Sequence, residues 1–83
     1  LNFKMELDVR GQRVNEALDN VMHYIDDAIM LNVSSVRIIH GKGTGALRDE
    51  IQRFLRATPG VVSAKDESVQ LGGSGVTVVT FDK

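Results

Sequence analysis

Hydrophobic and polar positions follow two different periods along the first half of the chain. Over residues 5–10 apolar and charged side chains alternate strictly, which is typical of a strand with one buried face. Over residues 14–31 apolar side chains recur every three or four positions, which predicts a long amphipathic helix. The β-branched, apolar run at 36–40 then predicts a buried strand that ends at a cluster of glycines.

The second half of the chain repeats this change of period. Residues 46–57 carry an apolar helical stripe, and the following Pro-Gly pair predicts the end of a second, short helix. Residues 61–65 and 76–81 are rich in β-forming residues, and a glycine-containing stretch between them predicts a hairpin. The order βαβαββ predicts an α/β chain of the α+β type, a two-layer sandwich with two helices on one face of a four-stranded mixed sheet. Its first two strands should be parallel with a right-handed crossover.

Composition limits the chain to one small domain, which we expect to span residues 1–83. The 83 residues are 42% hydrophobic and 25% charged, as in globular proteins. The chain has no cysteine, which excludes disulfides and thiolate metal sites, and no apolar run long enough for a transmembrane helix. We therefore expect a cytoplasmic domain with no membrane partner. Because the first residue is Leu1, we also expect a module excised from the C-terminal end of a larger protein.

The net charge of -1 hides an uneven distribution of charged residues. Acidic residues cluster over 16–27, whereas basic residues dominate 37–56, namely Arg37, Lys42, Arg48, Arg53 and Arg56. Such a separation predicts one acidic and one basic side, and the basic side suits nucleic acid.

Candidate chemistry gathers where the two parallel strands end. Because these ends lie side by side, Asp8 and Arg10 should approach His40 and the loop that follows it. That loop leads into a helix N-terminus, where free N–H groups and the helix dipole favour an anion. The predicted phosphate-binding residues are Gly41, Lys42, Gly43, Thr44, Gly45 and Arg48.

The predicted catalytic residues are Asp8, Arg10 and His40. Arg10 can hold a phosphate with two hydrogen bonds, and His40 can transfer a proton near neutral pH. Asp8 can orient His40, accept a proton or ligate a divalent metal, Mg²⁺ or Mn²⁺. The structural alternatives are a tight strand-to-helix turn, a hydrogen-bonded structural histidine, and a local ion pair between Asp8 and Arg10.

Two other phosphate-binding motifs fit the glycine cluster poorly. The P-loop pattern fails because no Gly-Lys-Ser/Thr is present. The dinucleotide pattern G-x-G-x-x-A can be placed on residues 41–46, but the chain is too short for two mononucleotide-binding halves. A nucleotide-binding fragment of this kind is the least favoured alternative.

The combined motifs resemble the small MutS-related (Smr) domain. The resemblance rests on LDVRG at 7–11, HGKG at 40–43 leading into GALR at 45–48, and GGSGVTVV at 72–79, and it covers almost the whole chain. The last segment resembles the end of proteins of the second bacterial MutS family. Many Smr domains carry histidine at the position of Arg10, so a mechanism with two histidines is unavailable here.

The resemblance implies a fold like the C-terminal domain of translation initiation factor three and endonuclease (nicking) activity on DNA or RNA. It also implies a parent protein, expected to be a homodimer, whose separate ATPase region binds ATP. Such parents are linked to suppression of homologous recombination and to rescue of collided ribosomes. For the domain itself we expect a monomer that binds branched or double-stranded DNA, ribosomal RNA, or both. A non-catalytic module that binds branched or structured nucleic acid is the alternative.

Overall fold

The computed structural model describes residues 2–82, and its elements follow the predicted order. They are strand β1 (Glu6–Asp8), helix α1 (Val14–Met30), strand β2 (Ser35–Ile39), helix α2 (Ala46–Arg56), strand β3 (Val61–Asp66) and strand β4 (Val76–Phe81). Two short 3-10 helices, Val69–Leu71 and Gly73–Gly75, lie in the connection between β3 and β4.

The four strands form one mixed sheet in the order β1-β2-β4-β3. Strand β1 is parallel to β2, and β4 is antiparallel to both β2 and β3. The predicted parallel first pair and the predicted hairpin of the last two strands are therefore confirmed. This topology places β4 in the centre of the sheet, next to the strand that leads into the glycine loop.

Strand β1 is shorter than the alternation predicts. It ends at Asp8 because the Asp8 carboxylate accepts a hydrogen bond from the backbone N–H of Arg10 at 3.0 Å and turns the chain. Gly11 continues the turn with φ +78°. The expected buried face is also shorter, since Val9 is fully buried but Met5 is 51% exposed.

Both helices pack on the same face of the sheet, as predicted for a two-layer sandwich. Helix α1 buries small and branched residues at three- and four-residue spacing, and α2 buries Ile51 and Leu55. These side chains form one core with those of the strands: Val9, Ala17, Val21, Ile25, Ala28, Val36, Ile38, Ile51, Leu55, Ala64, Val79 and Phe81. Each large aliphatic side chain buried here contributes about 1.5 to 3 kcal/mol.

In the part of the chain that the structure describes, neither α-helix packs on the opposite face of the sheet, but the segment after β3, which contains the two 3-10 helices, covers part of it. The Arg37 guanidinium binds the carboxylates of Glu6 and Glu67 and donates to the Leu71 carbonyl at 2.8 Å. Arg37 therefore fixes this segment against the sheet. Within residues 2–82, neither helix has the length and apolar character needed to cross a membrane.

Candidate functional site

The loop between β2 and α2 adopts a backbone shape that requires glycine at several positions. Gly41, Gly43 and Gly45 have φ values of +82°, +44° and +85°, in the left-handed region that other residues rarely adopt. The Gly45 N–H donates to the Lys42 carbonyl at 2.9 Å, and the Thr44 hydroxyl accepts from the Ala46 N–H at 3.3 Å. The loop thus consists of consecutive tight turns that lead directly into the first residue of α2.

The start of β4 holds this loop in place. The Gly75 carbonyl accepts hydrogen bonds from the N–H groups of His40 at 3.1 Å and Gly41 at 2.9 Å. A Cβ atom on Gly75 would lie 3.3 Å from Cγ of Lys42 and 3.5 Å from the carbonyl carbon of Gly41. Sequence reasoning missed Gly75 as part of the site, because it read this glycine only as a turn residue.

A pocket of about 410 Å³ lies at the ends of β1 and β2, where the sequence places the site. It is lined by Arg10, Gly11, Gln12, Val14, His40, Gly41, Lys42, Gly43, Thr44, Gly45, Ala46 and Leu47. The structure therefore brings together Arg10, His40 and the whole glycine loop. Asp8 and Arg48 are not among the lining residues.

Asp8 and Arg10 form an exposed ion pair at the edge of the pocket. Arg10 Nε lies 3.0 Å from Asp8 Oδ1, and Arg10 Nη2 lies 2.6 Å from Oδ2. The side-chain and backbone hydrogen bonds from Arg10 lower the pKa of Asp8 to about 2, so Asp8 is ionised at neutral pH. Within residues 2–82, Arg10 Nη1 has no hydrogen-bond partner and remains available to a ligand.

Asp8 does not orient His40. Asp8 is paired with Ile39 in the sheet register, so its side chain lies on the face away from the helices. His40 follows Ile39 and lies on the helix-covered face, where it is only 5% exposed. The expected contact between the two residues is wrong because alternation along β2 separates them.

Both ring nitrogens of His40 have hydrogen-bond partners. Nδ1 lies 2.9 Å from the Gly41 carbonyl oxygen, and Nε2 lies 2.7 Å from Oγ1 of Thr77. Because a carbonyl oxygen can only accept, we assign the ring proton to Nδ1 from these partners. Nε2 of the neutral ring then accepts from the Thr77 hydroxyl.

Two buried polar residues continue this chain of hydrogen bonds. Gln52 Nε2 donates to Thr77 Oγ1 at 3.0 Å and to Asp66 Oδ1 at 3.0 Å. Gln52 is 2% exposed and Thr77 is fully buried. Sequence reasoning missed both residues. The available signal was Gln52 itself, a polar residue beside the apolar stripe of α2.

Arg48 faces carboxylates of its own chain. Its Nε lies 2.7 Å from Asp66 Oδ1, and its Nη1 lies 2.7 Å from Asp49 Oδ1. The hydrogen bond with Asp66 is the main cause that raises the pKa of Arg48, and it lowers the pKa of Asp66. Binding of phosphate by Arg48 stays a prediction, and it would require competition with these carboxylates.

The expected basic side is reduced by similar ion pairs. Arg37 binds two glutamates, and Arg53 Nη1 lies 2.5 Å from Glu50 Oε1. Lys42 is exposed, and in the described part of the chain no carboxylate lies within 4.0 Å of its amino group. Over residues 37–56, Lys42 and Arg56 are therefore the basic side chains without a carboxylate partner among residues 2–82, and Arg56 donates instead to the Gln52 side-chain oxygen and the Ala64 carbonyl.

The side chains near the pocket do not form a typical metal site. Across residues 2–82 there is no group of three or more His, Cys, Asp or Glu residues placed to hold an ion. Both oxygens of Asp8 already accept from Arg10. The donor set therefore does not fit a metal held by protein side chains alone.

Comparison with known proteins identifies close similarity over nearly the whole chain. A family model described as the Smr domain matches residues 7–82. Over 78 residues the chain is 51% identical to endonuclease MutS2 of Halalkalibacterium halodurans, an alignment that covers 94% of this chain and 10% of the relative. The chain thus spans about a tenth of the length of the curated relatives it matches.

Two crystal structures share this fold. The Smr domain of Thermus thermophilus MutS2 superimposes with a TM-score of 0.92 at 44% identity, over 96% of this chain and 100% of that one. YdaL, a stand-alone small MutS-related protein from Escherichia coli, has a TM-score of 0.88 at 28% identity, over 95% of this chain and 65% of YdaL.

Proposed function

The chain belongs to the Smr domain family, and from that premise we propose that it binds nucleic acid and nicks its phosphodiester backbone. The observation that carries the proposal is one pocket in which Arg10 and Lys42 meet a glycine loop at the start of a helix. The proposed substrates are branched or double-stranded DNA, structured ribosomal RNA, or both.

The pocket suits a phosphate in both shape and charge. Glycines at positive φ let the backbone approach a ligand closely. In the first turn of α2 the Thr44 hydroxyl accepts from the Ala46 N–H, but within residues 2–82 no side chain takes the N–H groups of Leu47 and Arg48. The helix dipole adds positive potential at this point. Lys42 supplies a free ammonium group, and Arg10 offers the N–H groups that Asp8 leaves unused.

These groups also suit a phosphodiester that is being cleaved. In hydrolysis a water oxygen attacks phosphorus, one P–O ester bond breaks, and the leaving oxygen takes up a proton. Negative charge grows on the non-bridging phosphate oxygens during this step, and fixed N–H donors stabilise that charge. Asp8 is ionised and holds Arg10 in place, so its contribution is electrostatic rather than as a proton donor. Proton transfer by His40 stays a prediction, since His40 would first have to release Gly41 or Thr77.

The names of the relatives support the nuclease part of the proposal, since the first relatives are called endonuclease MutS2. We further propose that the domain acts in a larger MutS-like protein, expected to be a homodimer with its own ATPase region, that suppresses homologous recombination and rescues collided ribosomes. Cytoplasmic location and an isolated monomer belong to the same proposal.

A non-catalytic binding module is the second candidate function. It is favoured by one observation, the burial of His40 with hydrogen bonds at both ring nitrogens. In this case the same loop would dock backbone phosphates, and cleavage would not occur.

Nicking of covalently closed, supercoiled plasmid tests the proposal. The domain is incubated with plasmid, with and without a chelator, beside an Arg10→Gln, Lys42→Ala variant. Both residues are exposed, so the variant should fold. Arg53→Ala is the matched control, because Arg53 is an exposed basic residue that pairs with Glu50 away from the pocket.

The proposal predicts that wild type and Arg53→Ala produce relaxed circles and that the double variant does not. Loss of nicking in the chelator lane would show that the reaction requires a divalent ion such as Mg²⁺ or Mn²⁺. Equal nicking by all three proteins would remove the pocket from the reaction. If none nicks but wild type binds a four-way DNA junction in preference to the double variant, the binding-module function takes its place.

A further inference from the structure

Gly41 is held by hydrogen bonds on both of its backbone polar groups. Its N–H donates to the Gly75 carbonyl at 2.9 Å, and its own carbonyl accepts from His40 Nδ1 at 2.9 Å. These two contacts fix the orientation of the peptide on either side of Gly41. That orientation determines where the rest of the loop, and the N–H groups it presents to a ligand, will lie.

The contact from His40 depends on which ring nitrogen carries the proton. Nδ1 can donate to Gly41 only when it is protonated, and in a neutral ring this requires Nε2 to act as the acceptor. The Thr77 hydroxyl is the partner that lies within reach of Nε2, at 2.7 Å. Thr77 is therefore placed to select the His40 tautomer with the proton on Nδ1, which is the tautomer that can donate to the Gly41 carbonyl.

Gln52 in turn sets the direction of the Thr77 hydroxyl. Its amide N–H donates to Thr77 Oγ1 at 3.0 Å, and an amide nitrogen cannot accept in return. The hydroxyl proton is then free to point at His40 Nε2. A continuous series of donors thus runs from Gln52 through Thr77 and His40 to the Gly41 carbonyl, and the three side chains are almost fully buried.

We propose that Thr77 and Gln52 are positioning residues that act through His40 to fix the shape of the glycine loop. Neither residue reaches the pocket, so neither touches the nucleic acid. Their effect on nucleic-acid affinity rests on the function proposed above. Their effect on the loop does not, because it exists in the free domain.

The test compares Thr77→Val with Thr77→Ser. Valine has nearly the shape of threonine but no hydroxyl, whereas serine keeps the hydroxyl. Thr80→Val is the matched control, because Thr80 lies on the same strand but bonds Ser63 on the other side of the sheet. Gln52→Leu is a second variant that weakens the same series without changing Thr77.

The first measurement is the nitrogen-15 NMR spectrum of the histidine rings in the free domain. His23 is an internal reference, since its Nδ1 contacts only the Asp19 carbonyl. In wild type, Thr77→Ser and Thr80→Val, the protonated nitrogen of His40 should be Nδ1. In Thr77→Val the population of the His40 tautomer with the proton on Nδ1 should decrease, and the amide signals of residues 41–45 should shift or broaden.

The second measurement is affinity for a four-way DNA junction. Loss of one hydrogen bond should weaken binding by Thr77→Val about three- to tenfold, while Thr77→Ser and Thr80→Val stay within about twofold of wild type. Gln52→Leu should change both measurements in the same direction as Thr77→Val.

The proposal is overturned if wild-type His40 carries its proton on Nε2, or if Thr77→Val leaves the ring form and the loop signals unchanged. It is also overturned if Thr80→Val perturbs the loop as strongly as Thr77→Val. If Thr77→Val changes the ring and the loop but wild type binds no nucleic acid, the positioning role is supported, and the proposed function is what fails.

Discussion

The salt dependence of nucleic-acid binding will show which basic residues contact the backbone. Each phosphate neutralised by a basic side chain contributes about -0.9 to the slope of log affinity against log salt concentration on B-form DNA. If only Arg10 and Lys42 make such contacts, the slope is about -1.8, and affinity falls about 12-fold between 50 and 200 mM salt. The number is small because Arg10 and Lys42 are the basic residues that line the pocket. The guanidinium groups of Arg37, Arg48 and Arg53 bind carboxylates, and that of Arg56 donates to Gln52 and Ala64.

A surface that used the whole basic run would behave very differently. Contacts from Arg37, Arg48, Arg53 and Arg56 in addition to the two pocket residues would give a slope of about -5.4 and a loss of about 2,000-fold over the same range. The losses of affinity expected for two contacts and for six contacts therefore differ by more than a factor of 100. This difference is far larger than the error of a fluorescence anisotropy titration with labelled duplex DNA.

Single substitutions assign the slope to residues. Lys42→Ala should reduce its magnitude by about 0.9, whereas Arg53→Ala should leave it unchanged, since Glu50 already neutralises Arg53. A wild-type slope steeper than about -4, or an equal effect of the two substitutions, would refute the assignment of free charge to the glycine loop.

Four further predictions concern the core and the site. Ile51→Ala should lower the free energy of unfolding by about 2 to 5 kcal/mol in urea denaturation, because Ile51 is fully buried. The pKa of Asp8, at about 2, lies below its usual value of 3.8, so its carboxylate stabilises the folded state above pH 4. That stabilisation should disappear as the pH falls from 4 to 2, and Asp8→Asn should remove this part of the pH dependence of the melting temperature. Gly75→Ala should change stability by no more than about 0.5 kcal/mol but weaken DNA binding in the same titration, because its Cβ would lie 3.3 Å from Cγ of Lys42 and that exposed side chain would have to move. His40→Asn places an amide N–H where Nδ1 lies but loses the contact with Thr77 and cannot transfer a proton. It should abolish nicking if His40 is the proton-transfer group and weaken binding by no more than about tenfold, as for Thr77→Val; intact nicking would end that prediction.

The helices and the last strand could be predicted from sequence because a single repeated period defines each of them. Helix α1 begins at Val14, and strand β4 runs from Val76 to Phe81, as the patterns indicate. The end of β1 was predicted two residues too late. The alternation of apolar and charged residues continues through Arg10, but the Asp8 side chain accepts a hydrogen bond from the Arg10 N–H and ends the strand. A side chain that competes for a backbone N–H in this way does not alter the hydrophobic pattern, so the pattern alone could not predict the end of β1.

The pocket could be predicted to the extent that it depends on strand order. Parallel pairing brings the end of β1 beside the end of β2, and therefore Arg10 beside the glycine loop. The partners of each polar side chain depend instead on strands distant in sequence. His40 meets Thr77 from 37 positions away, and Arg37 meets Glu6 from 31 positions away. No local pattern encodes such pairs, so the Thr77 partner of His40 and the separation of His40 from Asp8 were missed.

The same long-range pairing determines which interactions are available for binding phosphate. Residues 37–56 are basic when they are counted along the chain. In the fold, however, Asp66 of β3 contacts Arg48, and Glu6 of β1 contacts Arg37. Little free charge is left for attracting a polyanion, so the arrangement of the loop N–H groups has to provide a larger share of phosphate recognition. Hydrogen bonds of this kind depend steeply on direction, whereas charge attraction does not. In a domain with few free charges, phosphate affinity therefore depends more strongly on a rigid loop. The buried series of hydrogen bonds that ends at the Gly41 carbonyl would supply that rigidity.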